Sequence, residues 1–443
     1  MQAELLICAR WVAPVEPVEV LEHYSVAIAD GRVAAVLPTS EAEQVIEARE
    51  TVHLDHHILI PGLVNAHTHA AMTLLRGYAD DLALEPWLKE RIWPAEARLL
   101  CEEAVRDGAL AGAAEMLAGG VTTFADMYFY PQATIHSALA LGMRVAAGII
   151  VVDFPSRYAA NAEEYLQRGL ALHDEYRSEP LASFLLAPHA PYTVSDDTLA
   201  RIASYAAETN LPIQTHLHET ASEIEHSLAQ YGKRPLARLE ALDLAGPALS
   251  AVHMTQVDDQ DLELLGRYAI NVVHCPESNL KLASGFCPVA KLLEAGVNVA
   301  LGTDGAASNN DLDLLGEMQT AALLAKGVAG DPGAFDAATA LRAATLGGAR
   351  AIGRDHETGS IEPGKWADLT AVCLDATRLL PLYDPLSQLV YAGERRDVSG
   401  VWVAGERRVQ DGAIKDFDAG ELRSRLQVWQ RCVQEMEDTD AHD

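Results

Sequence analysis

Residues Ile58–His69 read ILIPGLVNAHTH, an apolar run interrupted by Pro61-Gly62 and ended by His67-Thr68-His69. On a strand, residues i and i+2 point to the same side, so these two imidazoles converge on one point. The stretch also marks a change of pattern. From Ile58 onward, short apolar runs alternate with longer helical stretches, which is the signature of repeated βα units and a parallel sheet. The spacing predicts strands at Ile58–Ala66, Val121–Met127, Val145–Val152, Ala182–Ala187, Pro212–Leu217, Leu249–His253, Ile270–His274 and Val297–Gly302. Helices are expected over Glu102–Ala118, Ala162–Tyr176, Thr198–Thr209 and Asp258–Leu265. Eight such units make an α/β fold, a (β/α)8 barrel of roughly 300 residues with insertions.

Outward from the barrel, both chain ends read as β structure. Glu4–Ile7 and Ser25–Ala29 are strand-like, and Asp30-Gly31 turns the second into Val33–Leu37 as a hairpin. Strand signals return at Ala367–Cys373 and Gly400–Val403, with a turn at Ala404-Gly405-Glu406. The simplest organisation has residues 1–57 and 356–418 forming one small composite β-sandwich beside a barrel of residues 58–355. Residues 419–443 then supply an amphipathic helix over 419–437 and an acidic tail, EMEDTDAHD.

Composition narrows the function. At 49% hydrophobic and 22% charged residues, the 443-residue chain leaves little room for extended disorder. Asp and Glu number 64 against 33 Lys and Arg, a surface that repels phosphate backbones and argues against nucleic acid as a partner. Six cysteines form no Cys-x-x-Cys pair, so neither a disulfide framework nor a thiolate zinc site is expected. No apolar run approaches the ~18 residues that span a bilayer, and the first residues lack a basic segment followed by an apolar one. The expectation is a cytoplasmic protein with a small-molecule partner and no membrane partner. No motif decides whether it forms a homo-oligomer.

The chemistry-bearing residues sit where predicted strands end. His67 and His69 close the first strand. His216 ends the fifth in PIQTHLHET, His253 ends the sixth in SAVHM, and Asp304 follows the eighth in VALGTDG. In a barrel all those ends open on one face, so separate strands deliver this set to a single mouth. Taken alone, His-x-His is equally compatible with a solvated strand end; the full set favours a metal centre. His67, His69, His216 and Asp304 would hold one divalent ion. Zinc suits these nitrogen and carboxylate donors, and iron or manganese would also accept them. Such an ion lowers the pKa of water toward ~7 and yields hydroxide at neutral pH. Glu219, three residues beyond His216, is close enough to the rim to carry protons, or is simply a solvated first-turn helix residue.

PGLVNAHTH, HLHET, HCPESNLKLASG and LGTDGAASNN together resemble the amidohydrolase superfamily. More closely, they look like the 5′-methylthioadenosine/S-adenosylhomocysteine deaminases and their chlorohydrolase relatives. The likeness runs over nearly the whole chain, including TGSIEPGKWADLTAV in the returning β segment. It implies that His67, His69, His216 and Asp304 are metal ligands and that Glu219 protonates the ring nitrogen beside the attacked carbon. It further implies that His253 orients the attacking hydroxide, and that Asp304 takes its proton and later helps ammonia leave. Glu96, in RIWPAEARL, and His189, in APHAPYTVS, match positions that hold the nucleoside in this family. Without the resemblance, Glu96 would read as an ordinary residue of an amphipathic surface helix, and Trp87 as either pocket or core.

One departure bears on the substrate. Family members that accept S-adenosylhomocysteine need positive charge for its carboxylate, and the arginine expected near the end of the third strand is here Gly148, in RVAAGIIVVDF. Arg157 is the nearest substitute in sequence. The expected preference is therefore 5′-methylthioadenosine or adenosine over S-adenosylhomocysteine. A guanine, pterin or triazine hydrolase would use the same metal chemistry, and an inactive scaffold is a remote alternative. His53, His56, His57 and His218 are read as structural, His274 and Cys275 as pocket-lining. Asp80 and Asp81 are read as part of a solvated loop able to cover the site.

Overall fold

The computed structural model describes residues 1–440, so the end of the acidic tail lies outside the described residues. The strands in chain order are β1 (Gln2–Val12), β2 (Leu21–Ala29), β3 (Arg32–Pro38) and β4 (Glu47–Pro61). The next eight are β5 (Leu63–Thr68), β6 (Val121–Asp126), β7 (Arg144–Val151), β8 (Ala182–Pro188), β9 (Ile213–Leu217), β10 (Leu249–His253), β11 (Asn271–His274) and β12 (Val299–Leu301). The last are β13 (Leu369–Cys373), β14 (Val398–Val403), β15 (Glu406–Gln410) and β16 (Ala413–Ile414).

β5 to β12 pair in sequence order as an eight-stranded parallel sheet. Its two edges are closed by β5 and the residues after β12. The Asp304 N–H donates to the His67 carbonyl at 3.1 Å. Asn65 donates to Thr303 Oγ1 at 2.8 Å and accepts the Thr303 N–H at 3.1 Å. Gly302 makes the seam possible, because a Cβ there would lie 2.9 Å from the His67 backbone. The helices cover the outside of this barrel as expected, with Glu102–Ala118 at the predicted bounds.

The first predicted strand, Ile58–Ala66, proves to be two strands. Ile58–Pro61 is the end of β4, paired with β1 and β13, and the barrel begins only at Leu63. Both segments are buried, so no change of periodicity marks the hand-over. Pro61 lacks a donor for continuing a ladder, and a Cβ on Gly62 would come within 2.1 Å of Thr122 Oγ1. The chain switches sheets at that Pro-Gly pair.

The other sheet unites both ends of the chain in the order β16-β15-β14-β13-β4-β1-β2-β3. One face buries Ile7, Ile28, Leu59 and Trp402. It meets the barrel at the beginnings of the barrel strands, opposite the catalytic face. There Arg144, the first residue of β7, donates to Asp368 at 2.6 Å, and its guanidinium stands 4.7 Å from the Trp366 ring. Thr370 donates to the Gly120 carbonyl just ahead of β6. The terminal helix, Ala419–Asp440, docks on Glu102–Ala118 through Arg425 and Trp429, which both donate to Asp107. Among the described residues, no helix is long and apolar enough to cross a membrane.

Candidate metal centre and substrate pocket

Donor atoms of His67, His69, His216 and Asp304 all lie within 4.8 Å of one another at the mouth of the barrel. Each imidazole is turned inward by a carbonyl behind it. His67 Nδ1 donates to Gln214 Oε1 at 2.7 Å, His69 Nδ1 to the Met127 carbonyl at 2.6 Å, and His216 Nδ1 to the His189 carbonyl at 2.7 Å. On His67 and His216 those bonds assign the proton to Nδ1 and leave Nε2 as a bare lone pair. The Nε2 atoms of His67 and His216 nevertheless face each other at 3.1 Å. Two acceptors pointed at one place require a cation between them, so the donor set fits a divalent metal ion.

The electrostatics agree. Burial and the neighbouring imidazoles hold His216 well below the usual histidine range, and burial lowers His67. Both stay neutral, as metal ligation demands. Burial opposes a charge on His69 as well, but Asp304 Oδ1 at 3.1 Å outweighs it and holds that pKa up at about 9. Asp304 is kept ionised by His67 and His69 despite its burial. Its other oxygen accepts from Ser278 at 2.6 Å and Ser308 at 2.7 Å. The backbone that aims it is left-handed, with φ of 60°, a conformation that aspartate tolerates better than most residues.

Two further groups flank the cluster. His253 donates from Nδ1 to Asn279 Oδ1 at 2.8 Å, which leaves its Nε2 as an acceptor 3.7 Å from Glu219 Oε2. Burial pushes the Glu219 carboxyl up to about 8, so it carries a proton at neutral pH. Its backbone is fixed by Glu223, which accepts the His218 and Glu219 N–H groups at 3.1 and 2.7 Å.

A cavity of about 580 Å3 opens from this cluster, and Glu219, His253, His189, Trp87 and Glu96 all line it. Glu96 lies on the helix Trp93–Leu99 and faces inward, so the surface-helix reading of it does not hold. Enclosure by protein raises its pKa to about 7. Tyr128 donates to its Oε1 at 2.7 Å. Burial lowers His189 to about 3, and its Nδ1 donates to Thr193.

Residues 58–408 match the amidohydrolase family. The chain belongs to that family. It is 47% identical to a 5-methylthioadenosine/S-adenosylhomocysteine deaminase of Saccharophagus degradans, over 98% of this chain and 97% of that protein. It is similar also to the crystal structure of an adenosine deaminase from Xanthomonas campestris with bound zinc, at 48% identity and a TM-score of 0.97, covering 98% and 99% of the two chains. The fold alone is shared with the atrazine chlorohydrolase of Arthrobacter aurescens, at 24% identity, a TM-score of 0.89 and coverage of 96% and 100%.

In this amidohydrolase the remaining expectations sort themselves by position. His218 turns from the cluster to accept the Leu236 N–H at 3.0 Å, a structural role as expected. His53, His56 and His57 lie in β4, in the composite sheet. His274 and Cys275 are buried behind the barrel mouth and do not line the cavity, because the strand end carries them into the wall. Asp80 is pinned at the rim by Lys281 at 2.7 Å, and the following segment contributes Leu84, Trp87 and Leu88 to the cavity. Gly148 has no space for any side chain, since a Cβ would lie 2.6 Å from the Asp126 carbonyl. Arg157 does line the cavity, with Nη1 donating to the carbonyls of Arg98 and Leu100 at 3.1 and 3.3 Å.

Several supporting residues escaped the sequence reading, Gln214, Ser278, Asn279 and Tyr128 among them. Gln214 was accessible, since it lies two residues before His216 on the same strand face. Ser278 and Asn279 sit inside HCPESNLKLASG but act through other side chains, which no spacing reveals. Tyr128 follows β6 and reaches a helix 32 positions earlier in sequence.

Proposed function

We propose that this amidohydrolase deaminates the adenine ring of a nucleoside, 5′-methylthioadenosine or adenosine in preference to S-adenosylhomocysteine, releasing the inosine analogue and ammonia. The observation that carries the reading is Glu96, a carboxylate facing a pocket that also holds the histidine–aspartate cluster and a protonated Glu219. A carboxylate so placed accepts from both hydroxyls of a ribose, which a bare guanine, pterin or triazine does not have. The names of the Saccharophagus and Xanthomonas relatives point the same way.

His67, His69, His216 and Asp304 would hold a single Zn2+, the ion that suits three nitrogens and one carboxylate. When bound, such an ion supplies hydroxide at neutral pH. The residues of the chain do the rest. Glu219 gives its proton to N1 of adenine as C6 is attacked, so that negative charge does not build up on the ring. His253 offers a lone pair at Nε2 to the attacking O–H and fixes its approach. Asp304 Oδ1 receives the proton that the leaving amine needs, and ammonia departs as the C6 carbonyl forms. Glu96 and His189 hold the sugar and base. With no side chain at Gly148 and the nearest guanidinium partly committed to backbone carbonyls, a carboxylate on the 5′ substituent gains little.

The test is the fall of adenine absorbance near ~265 nm with 5′-methylthioadenosine, zinc-loaded protein and a Glu219→Gln control. Conversion that disappears in the control is the expected result. No conversion by fully metallated protein would overturn the nucleoside assignment in favour of free bases, pterins or triazines. Equal kcat/KM for 5′-methylthioadenosine and S-adenosylhomocysteine would overturn the stated preference.

A further inference from the structure

Tyr128 stands at the junction of two functional groups. It follows β6, directly after Met127, whose carbonyl orients the His69 ring. Its own hydroxyl donates to Glu96 Oε1 at 2.7 Å, and its ring centroid lies 6.4 Å from that of His69. The side chain is 7% exposed and lines the cavity. Among the described residues, no other hydrogen bond to the Glu96 carboxylate is seen, and Glu96 lines the cavity. Glutamate on a helix has three rotatable bonds, and an unheld carboxylate in a pocket of this size would sample several rotamers. Tyr128 is short of freedom by comparison, since its ring is packed edge-on against Phe129 at 5.6 Å.

We infer that Tyr128 is a positioning residue for sugar recognition, its hydroxyl holding Glu96 Oε1 so that the carboxylate is fixed in the orientation that accepts from a ribose diol. The inference rests on the nucleoside reading above. It places the specificity for ribose in a pair of residues and ties that pair, through Met127 and Tyr128 as adjacent residues, to the metal centre. A phenylalanine at 128 keeps the ring and its packing and removes only the donor.

The experiment compares wild type, Tyr128→Phe, Glu96→Gln and the double variant, all zinc-loaded, on 5′-methylthioadenosine and on its 2′,3′-dideoxy counterpart. Wild type should prefer the ribonucleoside. Y128F should lose about tenfold in kcat/KM on it, mainly through KM, as expected for one hydrogen bond to a charged group. On the dideoxy substrate the same variant should lose less than about twofold, because the misaligned carboxylate has no diol to miss. In the double variant the two losses should not add, since both remove one interaction. Equal losses by Y128F on both substrates would mean a merely structural tyrosine and overturn the inference while leaving Glu96 its role. An E96Q variant that keeps the wild-type preference for the ribonucleoside, losing equally on both substrates, would overturn the sugar-binding reading itself, and Tyr128's role with it.

Discussion

His67 and His216 point unprotonated nitrogens at each other across 3.1 Å, and each is held there by a carbonyl on the far side of its ring. That arrangement is stable only with a cation between the rings. Chelation should therefore lower the thermal midpoint, and zinc should restore it, with about 2.7 kcal/mol of stabilisation at a hundredfold excess over Kd. Differential scanning fluorimetry of metal-free protein, with and without zinc, measures this. A His216→Ala variant whose midpoint rises equally with zinc would place the ion elsewhere.

Gln214 never reaches the ion but sets the proton position on His67. Gln214→Ala should weaken metal affinity by about 10–100-fold while the protein stays folded. Competition with a chromophoric chelator reads the change. Unaltered affinity would mean that His67 keeps its orientation by packing alone.

In the proposed role Glu219 would act as an acid only while protonated, and burial pushes its pKa up to about 8. A divalent cation beside it pulls that value down. kcat/KM should accordingly fall with rising pH along an alkaline limb centred at or below about 8. Glu219→Gln should cost about 10²–10⁴-fold in rate and flatten that limb. A limb that persists unchanged in the variant would assign it to another group.

The sugar-binding role proposed for Glu96 would come with a loss of stability. Its folded pKa is about 7 against an ordinary glutamate value of 4.5, so between those values the folded state holds a proton that the unfolded state has lost. Stability then decreases as pH rises through that window and stays lower above it. Glu96→Gln should raise the thermal midpoint at pH 8 and leave it nearly unchanged at pH 4, while ribonucleoside turnover falls. A midpoint gain that is the same at both pH values would show that the enclosed charge is not its origin.

The buried pair Arg144–Asp368 joins barrel to sheet at the face remote from the chemistry. Arg144→Met strands a buried carboxylate and should cost about 3–5 kcal/mol by urea denaturation, with KM little changed below the transition. A loss confined to KM would mean that this joint communicates with the pocket.

The barrel and its histidine–aspartate cluster were legible because both depend on local patterns. Period-2 strands end in histidines, and HTH, HLHE and GTDG each sit at the close of an apolar run. What escaped was of two kinds. The passage from β4 to β5 was hidden because two buried strands in different sheets look like one long strand when only Pro61-Gly62 divides them. The supports of the cluster were hidden because they are joined across large separations, as Asn279 is to His253 and Tyr128 to Glu96. Such contacts follow from the folded arrangement of strand ends and are not carried by spacing along the chain. His274 and Cys275 show the opposite error: their place at a strand end suggested the pocket, while the wall received them.

The sheet that unites both chain ends imposes an order on biosynthesis. β4 must wait for β13, whose Thr370 pairs with Ile60, and Trp402 joins the core that holds Leu59 only after the whole barrel has been translated. A nascent chain emerging from the ribosome thus carries an open, apolar strand edge through several hundred codons, a template for unwanted pairing. Slowed elongation between the barrel and β13 would lengthen that exposure and favour aggregation, whereas the finished enzyme, with the edge sealed, would show no trace of the hazard.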